Sequence, residues 1–128
     1  MAEDPDSYIA DQPVAQARAL RRLRNFLADR IAHAGVAVEE AMSYGMPGFR
    51  VLSGPGRGKM LLGYAGWQAH LAIYPHSGSV LAQMHAETRG MSQTNSALHV
   101  AIGDLPPEAV VDRMIQLRLQ EIGRPPAP

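Results

Sequence analysis

The side chains able to do chemistry gather in two stretches of this sequence. The first, Glu39-Glu-Ala-Met-Ser-Tyr-Gly-Met-Pro-Gly-Phe49, sets two adjacent carboxylates ahead of a serine, a tyrosine and a methionine. The second, His70-Leu-Ala-Ile-Tyr74, reads as extended chain. Period two then puts His70 and Tyr74 on one face and Leu71 and Ile73 on the other. His99, in a later alternating run, could share the face of His70. Two imidazoles on one sheet face could ligate iron(II) or zinc, provided that a carboxylate or a third histidine completes the set. Glu39, Glu40, His70 and His99 are the candidates. The plainer role for His70 is a hydrogen bond to a tyrosine hydroxyl or a turn carbonyl that locks the Tyr44–Pro47 loop.

Catalytic arrangements fare less well. Neighbours on a strand or helix diverge, so Glu39 and Glu40 cannot both face one reacting atom as an acid–base pair. Ser43, His70 and an acid have no nucleophile elbow around them, and a triad is recognised by geometry rather than by sequence position. The glycine-rich run Ser53-Gly-Pro-Gly-Arg-Gly-Lys59 looks like a phosphate cradle but lacks its spacing, its Ser or Thr after the lysine, and the helix that must follow. It reads as a hairpin connection. No catalytic residue is assigned, and no enzymatic activity is expected. The expected ligand-binding set is Tyr44, Gly45, Met46, Pro47, His70 and Tyr74.

The elements that must position these residues follow from periodicity. Asp6 or Ser7 could cap a short first turn. Asp11 and Pro13 suit the start of a helix. Ala19/Leu20, Leu23, Phe26/Leu27 and Ile31 recur at helical spacing, and Gly35 stops the run. Val36–Met42 is an approach to the central stretch, and Ser43–Pro47 is a turn. Strands are expected around Phe49–Leu52, Met60–Ala65, Ala69–Tyr74 and Ala97–Ile102. A short helix carries Val80, Leu81 and Met84, flanked by an exposed His76 and His85. Residues 87–96 form a polar loop of a length often used for binding. Asp104-Leu-Pro-Pro-Glu108 opens a last helix that buries Val110/Val111, Met114 and Leu117. Short connections make early strands antiparallel neighbours. The predicted architecture is α+β: a two-layer sandwich, mainly antiparallel, with helices on one sheet face. One domain spans residues 7–122, with flexible termini at 1–6 and 123–128.

Composition bounds the function class. The 128-residue chain has 12 basic and 12 acidic residues, so no bulk field draws it to nucleic acid or to anionic lipid. Arg18, Arg21, Arg22 and Arg24 read as a solvated helix face, without the aromatic platform that strand binding needs. There is no cysteine, which excludes disulfides and thiolate chemistry. The acidic start is unlike a signal peptide, and no apolar run is long enough for a membrane span. A cytoplasmic protein is expected, with no nucleic-acid or membrane partner. Self-association, or protein docking through the sheet face or the loop at 87–96, is the alternative to ligand binding.

Several of these segments resemble one family. Ser43-Tyr-Gly-Met-Pro47 ahead of the aromatic Phe49 looks like the signature of the YdhG-like domains. Tyr64-Ala-Gly-Trp67 fits as well, and His70-Leu-Ala-Ile-Tyr-Pro75 is similar to the family's His-Ile-Gly-Phe-Tyr-Pro strand. Leu105-Pro106 before the closing helix continues the match, which runs from about Ser7 to Ile122. The resemblance implies a frataxin-like α/β sandwich, a domain that is mostly without assigned activity. One bacterial member is regarded as an iron chaperone that delivers iron to cluster or haem assembly. Iron(II) as ligand and an iron-dependent assembly protein as partner are what the resemblance implies at most. Gln93-Thr-Asn-Ser96 stands where the family carries Thr-Ser-Lys-Gly. The acidic ridge of frataxin-type iron binders is replaced here by an arginine-rich helix.

Overall fold

Asp4 starts the helical chain. Its Oδ1 accepts a hydrogen bond from the Ser7 amide at 2.7 Å, and Pro5 occupies the first helical position, where a missing N–H costs nothing. The computed structural model describes residues 2–123. Helix α1 spans Pro5–Ala10 and α2 spans Val14–His33. Asp11 and Pro13 do not play the roles expected of them: Asp11 caps the C-terminus of α1, and Pro13 stands at the N-cap of α2 without a side-chain cap. Pro5 and Asp6, expected to fray, are helical. The proline-rich tail at 124–128 lies outside the described residues.

Five strands follow: β1 Val38–Ser43, β2 Met46–Val51, β3 Met60–Gly66, β4 Leu71–Tyr74 and β5 Leu98–Val100. They form one sheet in the order β1-β2-β3-β4-β5, and each neighbouring pair is antiparallel. The expected approach at Val36–Met42 is therefore largely a strand, and the expected turn at Ser43–Pro47 shrinks to Tyr44 and Gly45. Met46 and Pro47 already pair with Ser43 and Met42 in β2. Proline fits there because Met42 and Pro47 exchange no ladder bonds across β1, and the pairing of β2 with β3 begins only at Gly48. A single turn of 3₁₀ helix covers Leu81–Met84, and α3 runs from Glu108 to Gly123.

The register sorts the sheet into two unlike faces. Phe49, Leu62, Tyr64, Leu71, Ile73, Leu98 and Val100 share the inner face and form one buried cluster with the helices. From α2, Leu20, Leu23, Leu27 and Ile31 enter this core with no exposure at all. Each such side chain contributes about 1.5–3 kcal/mol of burial free energy. Val111, Met114 and Ile115 of α3 complete the layer. The architecture is thus the expected α+β two-layer sandwich. A bulge between Phe49 and Arg50 leaves Leu61 as the extra residue of β3.

Polar contacts tie the helices to the sheet, to a loop and to one another. Arg24 makes a bidentate pair with Glu40 at 2.6 Å and reaches Asp6 at 2.7 Å. Arg30 grips Asp112 of α3 through two 2.8 Å bonds, and Arg22 donates to the Gly103 carbonyl. The arginines expected as a solvated face therefore divide: Arg18, Arg21 and Arg22 are exposed, though Arg22 also holds Gly103, and Arg24 is half-buried in its ion pairs. Among the described residues, no helix is long and apolar enough to cross a membrane.

Candidate functional site

The outer face of the sheet has a floor of small residues. Ala41, Gly48, Gly63 and Tyr74 form one cross-strand row, and Ala65, Ala72 and His99 form the next. Ala65 and Ala72 are nonetheless fully buried. Trp67 and Tyr74 flank this alanine pair and meet above it, the indole Nε1 donating to the Tyr74 hydroxyl at 3.1 Å. Larger side chains thus stand around a low floor.

At one end of this face lies a cavity of about 510 Å³, lined chiefly by Tyr44, Met46, Lys59, Met60, Tyr74 and His76, with Arg118 and three serines beside them. His76 is the centrepiece. A Cβ placed on Gly63 would lie 2.7 Å from its Nε2, so the imidazole can rest on β3 only because Gly63 has no side chain. Tyr44 stacks beside it, ring centroids 6.5 Å apart and planes 21° from parallel. Tyr44 is 90% exposed at the tip of the β1–β2 hairpin.

The backbone beneath this pair is unusual. Tyr44 and His76, with φ of 53° and 54°, are the non-glycine residues in the left-handed region among those described. At Tyr44 the cause is plain. A two-residue hairpin takes a type I′ turn, which needs positive φ at both central positions and favours Asn-Gly. Gly45 meets the demand freely at φ 74°, whereas Tyr44 carries the strain of a bulky residue there. Such outliers persist where the surrounding structure holds them, and they cluster at functional sites.

A polar strut closes the cavity wall. Arg118, only 8% exposed, donates to the Met60 carbonyl from Nε at 3.0 Å and Nη2 at 2.9 Å, and to Glu121 from Nη1 at 2.6 Å. The other oxygen of Glu121 accepts from Ser77 at 2.8 Å and Ser79 at 2.7 Å. Burial pushes the Glu121 carboxyl up, but the two hydroxyls and Arg118 outweigh it and hold the group below its usual range. Burial, and then the Arg118 cation, push the His76 imidazole below its ordinary value, so it is neutral at pH 7.

Of the residues expected to bind a ligand, Tyr44, Met46 and Tyr74 line this cavity. Gly45 shapes the turn. Pro47 does not join them: it belongs to the inner-face alternation of β2 and is buried. His70 lies at the other end of β4, with its ring 4.1 Å from that of His99 rather than against the Tyr44 turn. His99 Nδ1 in turn meets Ser92 Oγ at 3.0 Å. Of the candidate metal ligands, His70 and His99 meet, whereas the two carboxylates are engaged elsewhere. Glu39 faces outward to Arg50 at 2.8 Å, and Glu40 faces inward to Arg24. No three His, Asp or Glu side chains gather in a metal-binding group among the described residues, so the residues present do not fit an iron centre. His76, expected to be exposed, is partly buried, and neither Lys59 nor Arg118 is marked by spacing. The one sequence signal for His76 is Gly63, a glycine inside a strand, which marks a close approach. The loop at 87–96 packs back on the domain, with Thr88 buried and bonded to the Met84 carbonyl at 2.8 Å.

No protein-family model matches the sequence, and no curated protein matches it either. The structure, however, superposes on the crystal structure of a DUF1801-family protein, YdhG from Bacillus subtilis. The TM-score is 0.71 at 12% sequence identity, over 91% of this chain and 88% of that one. The fold is that of a YdhG-like domain. At this identity the likeness speaks for the fold alone. In this chain the Tyr44 hairpin, the end of β4 and α3 meet around one cavity.

Proposed function

We propose that this YdhG-like domain is a non-enzymatic binding protein, and that it holds a small molecule with a flat face in the cavity between Tyr44, Met46, Tyr74 and His76. The observation that carries this reading is the coincidence of the strained residues with the cavity: Tyr44 and His76 stack on each other at its mouth. A volume of about 510 Å³ suits a small organic ligand. The side chains present are suited to holding rather than transforming one. Ser77 and Ser79 are tied to Glu121, and Glu121, kept ionised by its partners, is a weak base.

Iron(II) as cargo, the role implied by family resemblance, ranks below this reading, because no carboxylate or third imidazole joins His70 and His99 among the described residues. Self-association through the outer face has one observation in its favour: Tyr44 and Trp67 are both exposed aromatics on that side. The cytoplasmic setting expected from the sequence belongs to the same proposal.

The test is a titration of ¹⁵N-labelled protein with a panel of one- and two-ring aromatic compounds, followed through amide shifts. Binding should shift Tyr44, Met46, Met60 and His76, and Tyr44→Ala should remove the effect. A panel that leaves these amides unmoved sinks the reading. Sedimentation equilibrium on the same sample separates out self-association.

A further inference from the structure

We propose that the cavity's ligand is a planar aromatic acid, whose ring lies against Tyr44, His76 and the Met46 and Met60 thioethers and whose acidic group faces Lys59. This inference rests on the binding reading above and adds the charge of the ligand to it.

The charged groups of the cavity wall favour an anion. No Asp or Glu belongs to the described lining, whereas Lys59 and Arg118 do. Arg118 is already committed to the Met60 carbonyl and Glu121. Glu121, the carboxylate behind the wall, is saturated by Arg118, Ser77 and Ser79. Lys59, by contrast, has no ion-pair partner among the described residues and is exposed at the end of the glycine loop. Its ammonium meets no carboxylate among the described residues and rides on a flexible stem at the cavity wall. The loop is held from beneath rather than by Lys59's side chain: the Gly58 amide bonds the Val51 carbonyl and the Lys59 amide bonds the Gly56 carbonyl, each within 3.0 Å. Ser43, Ser77 and Ser96 add hydroxyls to the lining.

Two other ligand classes are disfavoured by the same groups. A cationic ligand would meet aromatic faces, but it would sit beside Lys59 with no carboxylate to offset the repulsion. A hard divalent cation would find hydroxyls and thioethers where it needs carboxylate oxygens. An anion of flat shape satisfies both halves of the wall: thioethers and ring faces take the apolar body, and the ammonium takes the charge.

A matched pair of dyes tests the inference. 8-Anilinonaphthalene-1-sulfonate and N-phenyl-1-naphthylamine share one ring system, and the first alone carries an acid. The full chain should bind the sulfonate more tightly, and added sodium chloride should weaken that binding. Lys59→Gln should weaken the sulfonate by about two- to fivefold, as expected for loss of one charged contact at an exposed site, and leave the neutral dye unchanged. Amide shifts place the dye, and a far-UV melt checks that Lys59→Gln is folded. Equal binding of both dyes in the cavity, indifferent to Lys59→Gln, overturns the inference and leaves the binding reading standing. Failure of both dyes to shift the cavity amides overturns the two together.

Discussion

Both ends of the outer sheet face carry imidazoles, and the two ends are built differently. At the Tyr44 end, His76 lies over Gly63, where a Cβ would come within 2.7 Å of its ring nitrogen. At the other end, His99 stands across from Ala72, which has a Cβ, and its ring packs against His70 at 4.1 Å. One missing methyl group therefore separates an imidazole that settles onto the sheet beside a cavity from two that stand above it and pack on each other. The floor, rather than the imidazole itself, sets how closely a ring can approach this face.

Removing the wall of the His76 end should cost the most. Arg118→Met keeps the bulk but leaves the Met60 carbonyl and Glu121 without their donor. A loss of about 2–4 kcal/mol is expected in urea unfolding. The expected loss is larger than for His70→Ala at the opposite end, where the ring is only partly covered. Equal losses at the two ends would mean that the strut is incidental.

Gly63→Ala tests the floor directly. The added methyl must displace His76, at a cost of about 1–3 kcal/mol for overpacking. In a His76→Ala background the same substitution should cost much less, so a double-mutant cycle should return a coupling of about 0.5–3 kcal/mol. Additive losses would show that the methyl clashes with the backbone alone.

How far the sequence carried these features depends on which side of the sheet a residue faces. The inner face was legible because Leu20, Leu23, Leu27 and Ile31 repeat at the helix period against alternating strands. Strand β1 was hidden because Glu39 and Glu40 interrupt any alternation. Their charges are tolerated side by side because Arg50 meets one from the outer face and Arg24 meets the other from the helices. Tyr44, Met46 and Tyr74 stood out by type and spacing. His76 did not, because it follows Pro75 beyond the end of β4, where strand phase no longer says which way a side chain points. Lys59 and Arg118 come from a loop and a helix far apart in the chain, and only the closed fold brings them to one wall.

Acid should separate the ends from the rest of the molecule. His76 and His99 are both held below the ordinary imidazole value, the first by burial and Arg118, the second by burial and His70. An unfolded histidine titrates near about 6.5. Below that pH the unfolded chain takes up protons that the folded chain refuses, so stability is complete above about pH 6.5 and falls as the solution is acidified. Melting temperatures measured downward from pH 7.5 should fall from that point. His76→Gln should flatten the fall, by up to about 1.4 kcal/mol for every pKa unit that separates the two states, and His99→Gln by less, because solvent screens its more open ring. A profile unchanged by either substitution would mean that carboxylates alone set the acid limit.

The smallest expected effect is the most informative about why the Tyr44 end exists. A type I′ hairpin favours asparagine at the position Tyr44 occupies, because a short polar side chain tolerates positive φ. Tyr44→Asn should therefore raise stability, by about 0.5–1 kcal/mol in urea unfolding, since an aromatic that is 90% exposed has little packing to lose. The same substitution removes the ring that stacks on His76, so binding of a flat ligand should weaken while the fold strengthens. That opposition of signs is what distinguishes a residue kept for binding from one kept for folding. If Tyr44→Asn destabilises the hairpin, the stack on His76 is holding the turn, and the strain at φ 53° is supported by packing rather than retained for a ligand.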